Sequence, residues 1–242
     1  MYPTIIIPSM NPVLCAKARA FIPKEWPVIV KDGNPSVHFD EIKLLDIRTK
    51  WAINVDEDCF IMDPPAVLRL IETMEAGGYD SAGIQDGSSY IRHHNPVLFN
   101  PFFFVFNVAK VQAAPKLSLD IEETRKYAHL VRFHHLPHKY DGFEPYYSFM
   151  LDLLEAGLKP LFLASHAYEA FDPGEHGLGK PSILLGEDGK ELAIHAWYSR
   201  LWHLPAVQDR IRQCEEYALA NPHSLKPVKP AAAAPSFLSG EI

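Results

Sequence analysis

No apolar run in these 242 residues approaches the roughly 20 needed to cross a bilayer, so no transmembrane segment is expected. The opening Met1-Tyr2-Pro3-Thr4-Ile5-Ile6-Ile7-Pro8 has no basic residue and only a very short apolar stretch, so no secretory signal is read there. Cysteine is scarce. Cys15, Cys59 and Cys214 are odd in number and lack metal-like spacing, which excludes a disulfide framework and fits free thiols in a reducing, cytoplasmic setting. Positive charge is in deficit: the formal net charge of −7 argues against nucleic acid as the main partner. It does not argue against a nucleotide, because a bound metal offsets local phosphate charge. No His-x-His or His-Glu-x-x-His spacing supports a histidine-based metallohydrolase, and internal repeats are absent. What remains is a chain that suits one large domain, with enough apolar material for a sizeable core.

The most informative stretch is Lys50-Trp51-Ala52-Ile53-Asn54-Val55-Asp56-Glu57-Asp58-Cys59-Phe60-Ile61. An apolar strand rises into three consecutive carboxylates. In an open α/β sheet, ligands bind beyond the carboxyl ends of the strands. Two aspartates one residue apart suit a hard divalent cation that takes oxygen ligands and shares them with phosphate. A solvated acidic loop is the competing reading of any Asp-x-Asp. Here the preceding segment is apolar enough to be buried. The following Met62-Asp63-Pro64-Pro65 predicts a helix start, with Asp63 as N-cap and Pro64 at the first helical position.

Around this stretch the chain alternates. Strands are expected at Thr4–Pro8, Pro27–Val30 and Tyr79–Ile84. Helices are expected at Val13–Phe21 and at Pro65–Ala76, the latter stopped by Gly77-Gly78. The order implies a mostly parallel sheet with helices on both faces. Phe102–Phe106 reads as a buried strand, Asp120–His138 as a surface helix and mobile loop, and Tyr146–Ala156 as a helix capped by Gly157. Pro160–Ala164 reads as a further strand, and His166–Lys180 as a long loop whose length and glycine content fit a lid and equally a plain surface loop. His195 follows a short apolar run and matters only if the fold returns it to the acids. Ala206–Leu219 reads as a helix, and Asn221–Ile242 as a flexible tail.

Taken together these pieces resemble the nucleotide-sugar glycosyltransferases of the GT-A fold, and within them the inverting, family-two-like members. The resemblance covers roughly the first 200 residues. It rests on Ile5-Ile6-Ile7-Pro8-Ser9-Met10-Asn11 as opening strand and Val28-Ile29-Val30-Lys31-Asp32-Gly33 as second strand with a base-contacting aspartate. It rests also on Ile53-Asn54-Val55-Asp56-Glu57-Asp58 as the Asp-x-Asp strand, and on Asp141-Gly142-Phe143-Glu144 as the acidic motif supplying a catalytic base. The implied organisation is an α/β, Rossmann-like catalytic domain over residues 1–204 with a mixed acceptor half. A C-terminal helix over 205–221 and a flexible tail over 222–242 follow.

The resemblance implies a metal-dependent transferase, hexosyltransferase-like, that moves one sugar from a nucleoside-diphosphate sugar to a hydroxyl of a glycan, lipid-linked or protein acceptor. Asp58 would bind Mn²⁺ or Mg²⁺, with Asp56 touching ribose or metal and His195 as third ligand; an imidazole ligand favours Mn²⁺. Pro8, Ser9, Asn11, Asp32, Arg48, Lys50, Asp56 and Glu57 would line the donor. Glu144 or Asp141 would be the base. Two departures stand out. The connection from Asp32 to Asp56 is short, and Glu144-Pro145 replaces the usual Glu-Asp pair. The Gln-x-x-Arg-Trp motif of processive synthases is absent, which points to transfer of a single sugar. Two rivals share some of these features: a nucleotidyltransferase making a sugar nucleotide, and a non-catalytic sugar-nucleotide or glycan-binding module. Pro8-Ser9-Met10-Asn11-Pro12 lacks the glycine-rich basic loop that the first of these needs.

Overall fold

A computed structural model describes residues 2–33, 39–86, 94–117, 120–131, 139–140, 144–172, 178–221 and 223. The first strand, β1 (Thr4–Ser9), is buried along its whole length, as a run of isoleucines flanked by parallel partners should be. Asn11 ends the turn that follows it and caps α1 (Pro12–Ala20), accepting from the Val13 and Leu14 N–H groups. Next come β2 (Val28–Asp32), the short α2 (Phe39–Ile42) and β3 (Trp51–Val55). After β3 lie β4 (Cys59–Ile61), α3 (Pro64–Gly77) and β5 (Ser81–Gln85). Asp63 caps α3 through the Ala66 N–H at 2.8 Å, and Gly78 closes it at φ 65°, a left-handed position that glycine adopts freely.

The second half contributes β6 (Phe99–Asn107), α4 (Val108–Ala113), a 3₁₀ segment (Ile121–Leu130) and α5 (Tyr147–Glu155). Then follow β7 (Pro160–Leu163), β8 (Ser165–Ala167), β9 (Ser182–Leu185), β10 (Glu191–His195), one 3₁₀ turn (Ser199–Leu201) and α6 (Pro205–Ala220).

The central sheet has six strands in the order β2-β1-β3-β6-β5-β7, and only β6 runs against the rest. Alternate residues face opposite layers. Ile5, Ile7, Ile53, Val55 and Val105 meet α3, while Ile6, Ala52, Phe104 and Phe106 meet α5. Each fully buried aliphatic or aromatic side chain of this kind is worth about 1.5–3 kcal/mol relative to leaving it in water. This is the expected α/β architecture, a mostly parallel sheet covered on both faces.

A second sheet lies beside the first, with no signature of its own in the sequence pattern. Strands β4-β10-β9-β8 form an antiparallel sheet whose core is shared with α1 and α6. Its strands have three to five residues, too short for periodicity to announce them. The surface helix expected from Asp120 is the 3₁₀ segment; its expected loop falls largely outside the described residues. So do residues 173–177 of the long loop, and residue 222 and residues 224–242 of the expected tail. Among the described residues no helix is long and apolar enough to cross a membrane.

Candidate metal and donor site

β3 ends at Val55, and the next residue leaves the sheet. The Asp56 N–H donates to the Phe102 carbonyl at 2.9 Å, and the Cys59 N–H closes a turn on the Asp56 carbonyl at 3.0 Å. The two aspartates are thus presented from a tight turn between β3 and β4. β10 lies antiparallel to β4 with His195 opposite Cys59, and the ladder continues as the Ala196 N–H donates to the Asp58 carbonyl at 2.9 Å. That register carries the His195 ring to the acids. Its Nε2 is 3.1 Å from Asp58 Oδ1 and 4.0 Å from Asp56 Oδ2. The ring is stacked on Phe102 (4.3 Å between centroids, 15° between planes) and flanked by Trp197 at 4.1 Å, so its position is set by packing.

These three residues suit a divalent cation. Their candidate ligand atoms lie within 4.8 Å of one another. Ligands about 2.1 Å from a shared ion at octahedral angles stand about 3–4 Å apart. Asp56 Oδ1 is buried without a hydrogen-bond partner among the described residues. An orphan carboxylate oxygen of this kind is costly unless something binds it. The electrostatics are divided. Burial, reinforced by Asp58 and Glu57, pushes the Asp56 carboxyl up to about 7, although His195 and Arg200 pull it down. Burial also acts against ionised Asp58. There the charge and hydrogen bond of His195, with backbone N–H groups of Asp58 and Ser199, win and hold it below the ordinary carboxylate range.

The triad opens into a cavity of about 480 Å³ that is also lined by Glu144, Asn100, Tyr146, Trp197, Tyr198 and Arg200. Glu144 therefore shares a cavity with the triad although 86 positions separate it from Asp58 in sequence. Asp141, the other candidate base, lies outside the described residues.

Other candidates are placed differently. Glu57 turns away from its neighbours. Its Oε2 accepts from Ser9 Oγ at 2.7 Å, from the Asn11 N–H at 2.9 Å and from the Met10 N–H at 3.1 Å. It ties the end of β1 to the acidic turn, and burial raises its carboxyl above the usual range. Ser9 is thus engaged with Glu57, and the Asn11 side chain is engaged in capping α1. Pro8, Ser9 and Asp32 do lie together at the carboxyl ends of β1 and β2, with Ser9 opposite Asp32. Arg48 and Lys50 are not brought to the acids. Both precede β3, so the length of the strand separates them from Asp56. Arg48 is exposed and pairs with Asp46, and Lys50 pairs with Glu75 at 2.7 Å.

Three features of the site went unread in the sequence. Arg200 faces the Asp56 charge from the cavity wall. Trp197 and Tyr198 are consecutive non-glycine residues at φ 64° and 67°, a conformation that costs on the order of 1–3 kcal/mol each. Asp86, at the end of β5, is fully buried. It accepts from Asn100 Nδ2 at 2.6 Å and from the hydroxyls of Tyr146 and Tyr147 at 2.9 and 2.5 Å. That network locks the start of α5, just past Glu144, onto the sheet. Only the Asp-Gly after a predicted strand hinted at it, and the same dipeptide marks any turn.

No protein-family model matches this sequence, and no curated protein matches it. Among solved structures, A197 from STIV superposes at TM-score 0.41 and 12% identity, over 79% of this chain and 93% of that one. A glycosyltransferase involved in glycosylation of the major capsid of PBCV-1 superposes at TM-score 0.33 and 11% identity, over 57% and 80%. Mouse xyloside xylosyltransferase 1 in its apo form gives TM-score 0.34 and 12% identity, over 67% and 84%. At these scores the chemistry of the site has to be read from its own residues.

Proposed function

We propose that this protein is a metal-dependent, non-processive glycosyltransferase of the GT-A type, acting on a nucleoside-diphosphate sugar with inversion. One observation carries the reading: a single cavity gathers a buried Asp56-Asp58-His195 cluster and a separate carboxylate, Glu144. Asp58, His195 and Asp56 would hold a divalent cation, Mn²⁺ in preference to Mg²⁺ because an imidazole is in the set. Bound there, it would supply positive charge to offset that developing on a leaving diphosphate. Asp32, at the carboxyl end of β2, accepts a hydrogen bond from the nucleobase. Glu144 accepts the proton of the acceptor hydroxyl as that oxygen attacks the anomeric carbon, a general-base contribution of about 10²–10⁴-fold. Tyr146 and Asn100, held by Asp86, fix the wall beside Glu144. Phe102 and Trp197 exclude water from the far side of His195.

The test is a thermal-shift panel of UDP, GDP, dTDP and CDP with and without Mn²⁺, followed by turnover with the matching sugar nucleotides. A ligand at 100 times its Kd stabilises by about 2.7 kcal/mol, a shift of about 5–10 °C for a chain of this size. A shift with one diphosphate only when Mn²⁺ is present, absent in Asp58→Ala, is the expected result. Glu144→Gln should keep that shift and lose transfer. No shift with any nucleotide, or one unchanged in Asp58→Ala, refutes the donor site. Release of pyrophosphate in place of nucleoside diphosphate would make the protein a nucleotidyltransferase.

A further inference from the structure

We propose that Arg210 of the C-terminal helix is a positioning residue for the metal site, holding the turn that joins His195 to the cavity wall in its left-handed conformation. The metal half of this inference rests on the function proposed above; the backbone half does not.

Arg210 is only 1% exposed and is the largest fully buried side chain among the described residues. A guanidinium is rarely placed so deep without a demand for its donors. Its Nε donates to the Ala196 carbonyl and its Nη1 to the Gly179 carbonyl, and its Cζ lies 5.3 Å from the Tyr198 ring centre and 4.8 Å from that of Phe171. Ala196 is the residue after His195. Its N–H is already given to the Asp58 carbonyl, so Arg210 grips the other side of the same residue.

The chain then passes through Trp197 and Tyr198, both at positive φ, before Ser199 and Arg200 reach the acids. Two bulky residues hold such a conformation only where the surroundings over-determine it. The surroundings here are Arg210 on Ala196 and Tyr198, and Ser182 Oγ accepting from Trp197 Nε1 at 2.9 Å. Were the Arg210 contacts removed, the turn would relax toward ordinary φ values. The Ser199 N–H would leave Asp58, Arg200 would leave Asp56, and the Trp197 ring would release His195. On this view α6 is part of the site and not an appended helix. A hydrophobic residue could fill the same volume, but it could not hold two carbonyls and two rings at once.

The experiment compares Arg210→Met, Arg210→Lys and a control, Leu153→Ala, by amide hydrogen exchange and by Mn²⁺ binding followed by electron paramagnetic resonance. Leu153 is buried in α5, in a different core cluster, so its truncation lowers global stability without touching the turn. In Arg210→Met, residues 196–201 should exchange on the order of 10-fold faster than in the control matched for thermal stability. Mn²⁺ affinity should fall about 10–100-fold, as for other groups that orient metal ligands. Arg210→Lys, which keeps the charge and one donor position, should fall between. If Arg210→Met fails to fold, Arg210→Lys carries the same comparison. Exchange at 196–201 no faster than in the control overturns the positioning role. Faster exchange with unaltered Mn²⁺ affinity overturns the link to the metal. A wild-type protein that takes up no Mn²⁺ refutes the proposed function, and the exchange result still decides the role of Arg210 in the turn.

Discussion

Lowering the pH should cost the protein its metal before it costs the protein its fold. The Asp56 carboxyl is pushed from 3.8 up to about 7 by burial, so near neutrality it is partly protonated without a cation. A cation needs it ionised. Affinity therefore follows the ionised fraction, which falls from about 75% at pH 7.5 to about 3% at pH 5.5, a loss of about 25-fold. Titration calorimetry with Mn²⁺ across that range measures it. Repeating the titration at pH 6 in buffers of different ionisation enthalpy counts the protons, and close to one should leave Asp56 per ion bound.

The sign for the metal-free protein is the reverse of the usual acid case. A carboxyl whose folded pKa is raised contributes stability that is fully present below the unfolded pKa, near 4. That contribution is lost as pH rises through about 7. With a chelator present, the melting temperature should therefore decline between about pH 5 and 7.5. With saturating Mn²⁺ the decline should disappear or reverse. Mn²⁺ affinity constant within twofold over this range, with no proton released at pH 6, would refute the account of Asp56. It would mean that the carboxyl is already ionised in the empty protein.

Two further predictions concern how the site is supported. Glu57→Ala leaves Ser9 Oγ and the N–H groups of Met10 and Asn11 without their acceptor, and should cost on the order of 3 kcal/mol by urea denaturation; a loss under 1 kcal/mol would mean that water replaces the carboxylate readily. Gly83→Ala puts a methyl 2.8 Å from the Phe103 carbonyl oxygen and 3.1 Å from the Phe99 ring, inside the central sheet. It should destabilise by about 1–3 kcal/mol, read as a drop of about 2–4 °C per kcal/mol in a thermal melt, and an unchanged melt would show that β5 and β6 can separate there.

Local chemistry determined much of this protein. An isoleucine run, an Asp-Pro-Pro start and a Gly-Gly stop are each decided by a few neighbouring residues. β1, α3 with its Asp63 cap and the left-handed Gly78 came out where the sequence put them. The same holds for the buried phenylalanines of β6 and for the acids at the end of β3, because burial on both faces of a sheet leaves an unbroken apolar run. Which acids face the site was beyond the sequence. Asp56, Glu57 and Asp58 are consecutive, and only the turn geometry sends the middle one to Ser9 and the outer two toward His195. Arg48 and Lys50 lie near the acids in sequence but at the opposite end of β3, because a strand has two ends. His195 becomes a candidate ligand through one antiparallel register, β4 against β10, and a slip of one residue would turn it to the other face. Arg200 and Arg210 carry no local signature at all. Their roles come from a turn whose backbone conformation no residue in it prefers, and only the packing of α6 and the second sheet holds it there.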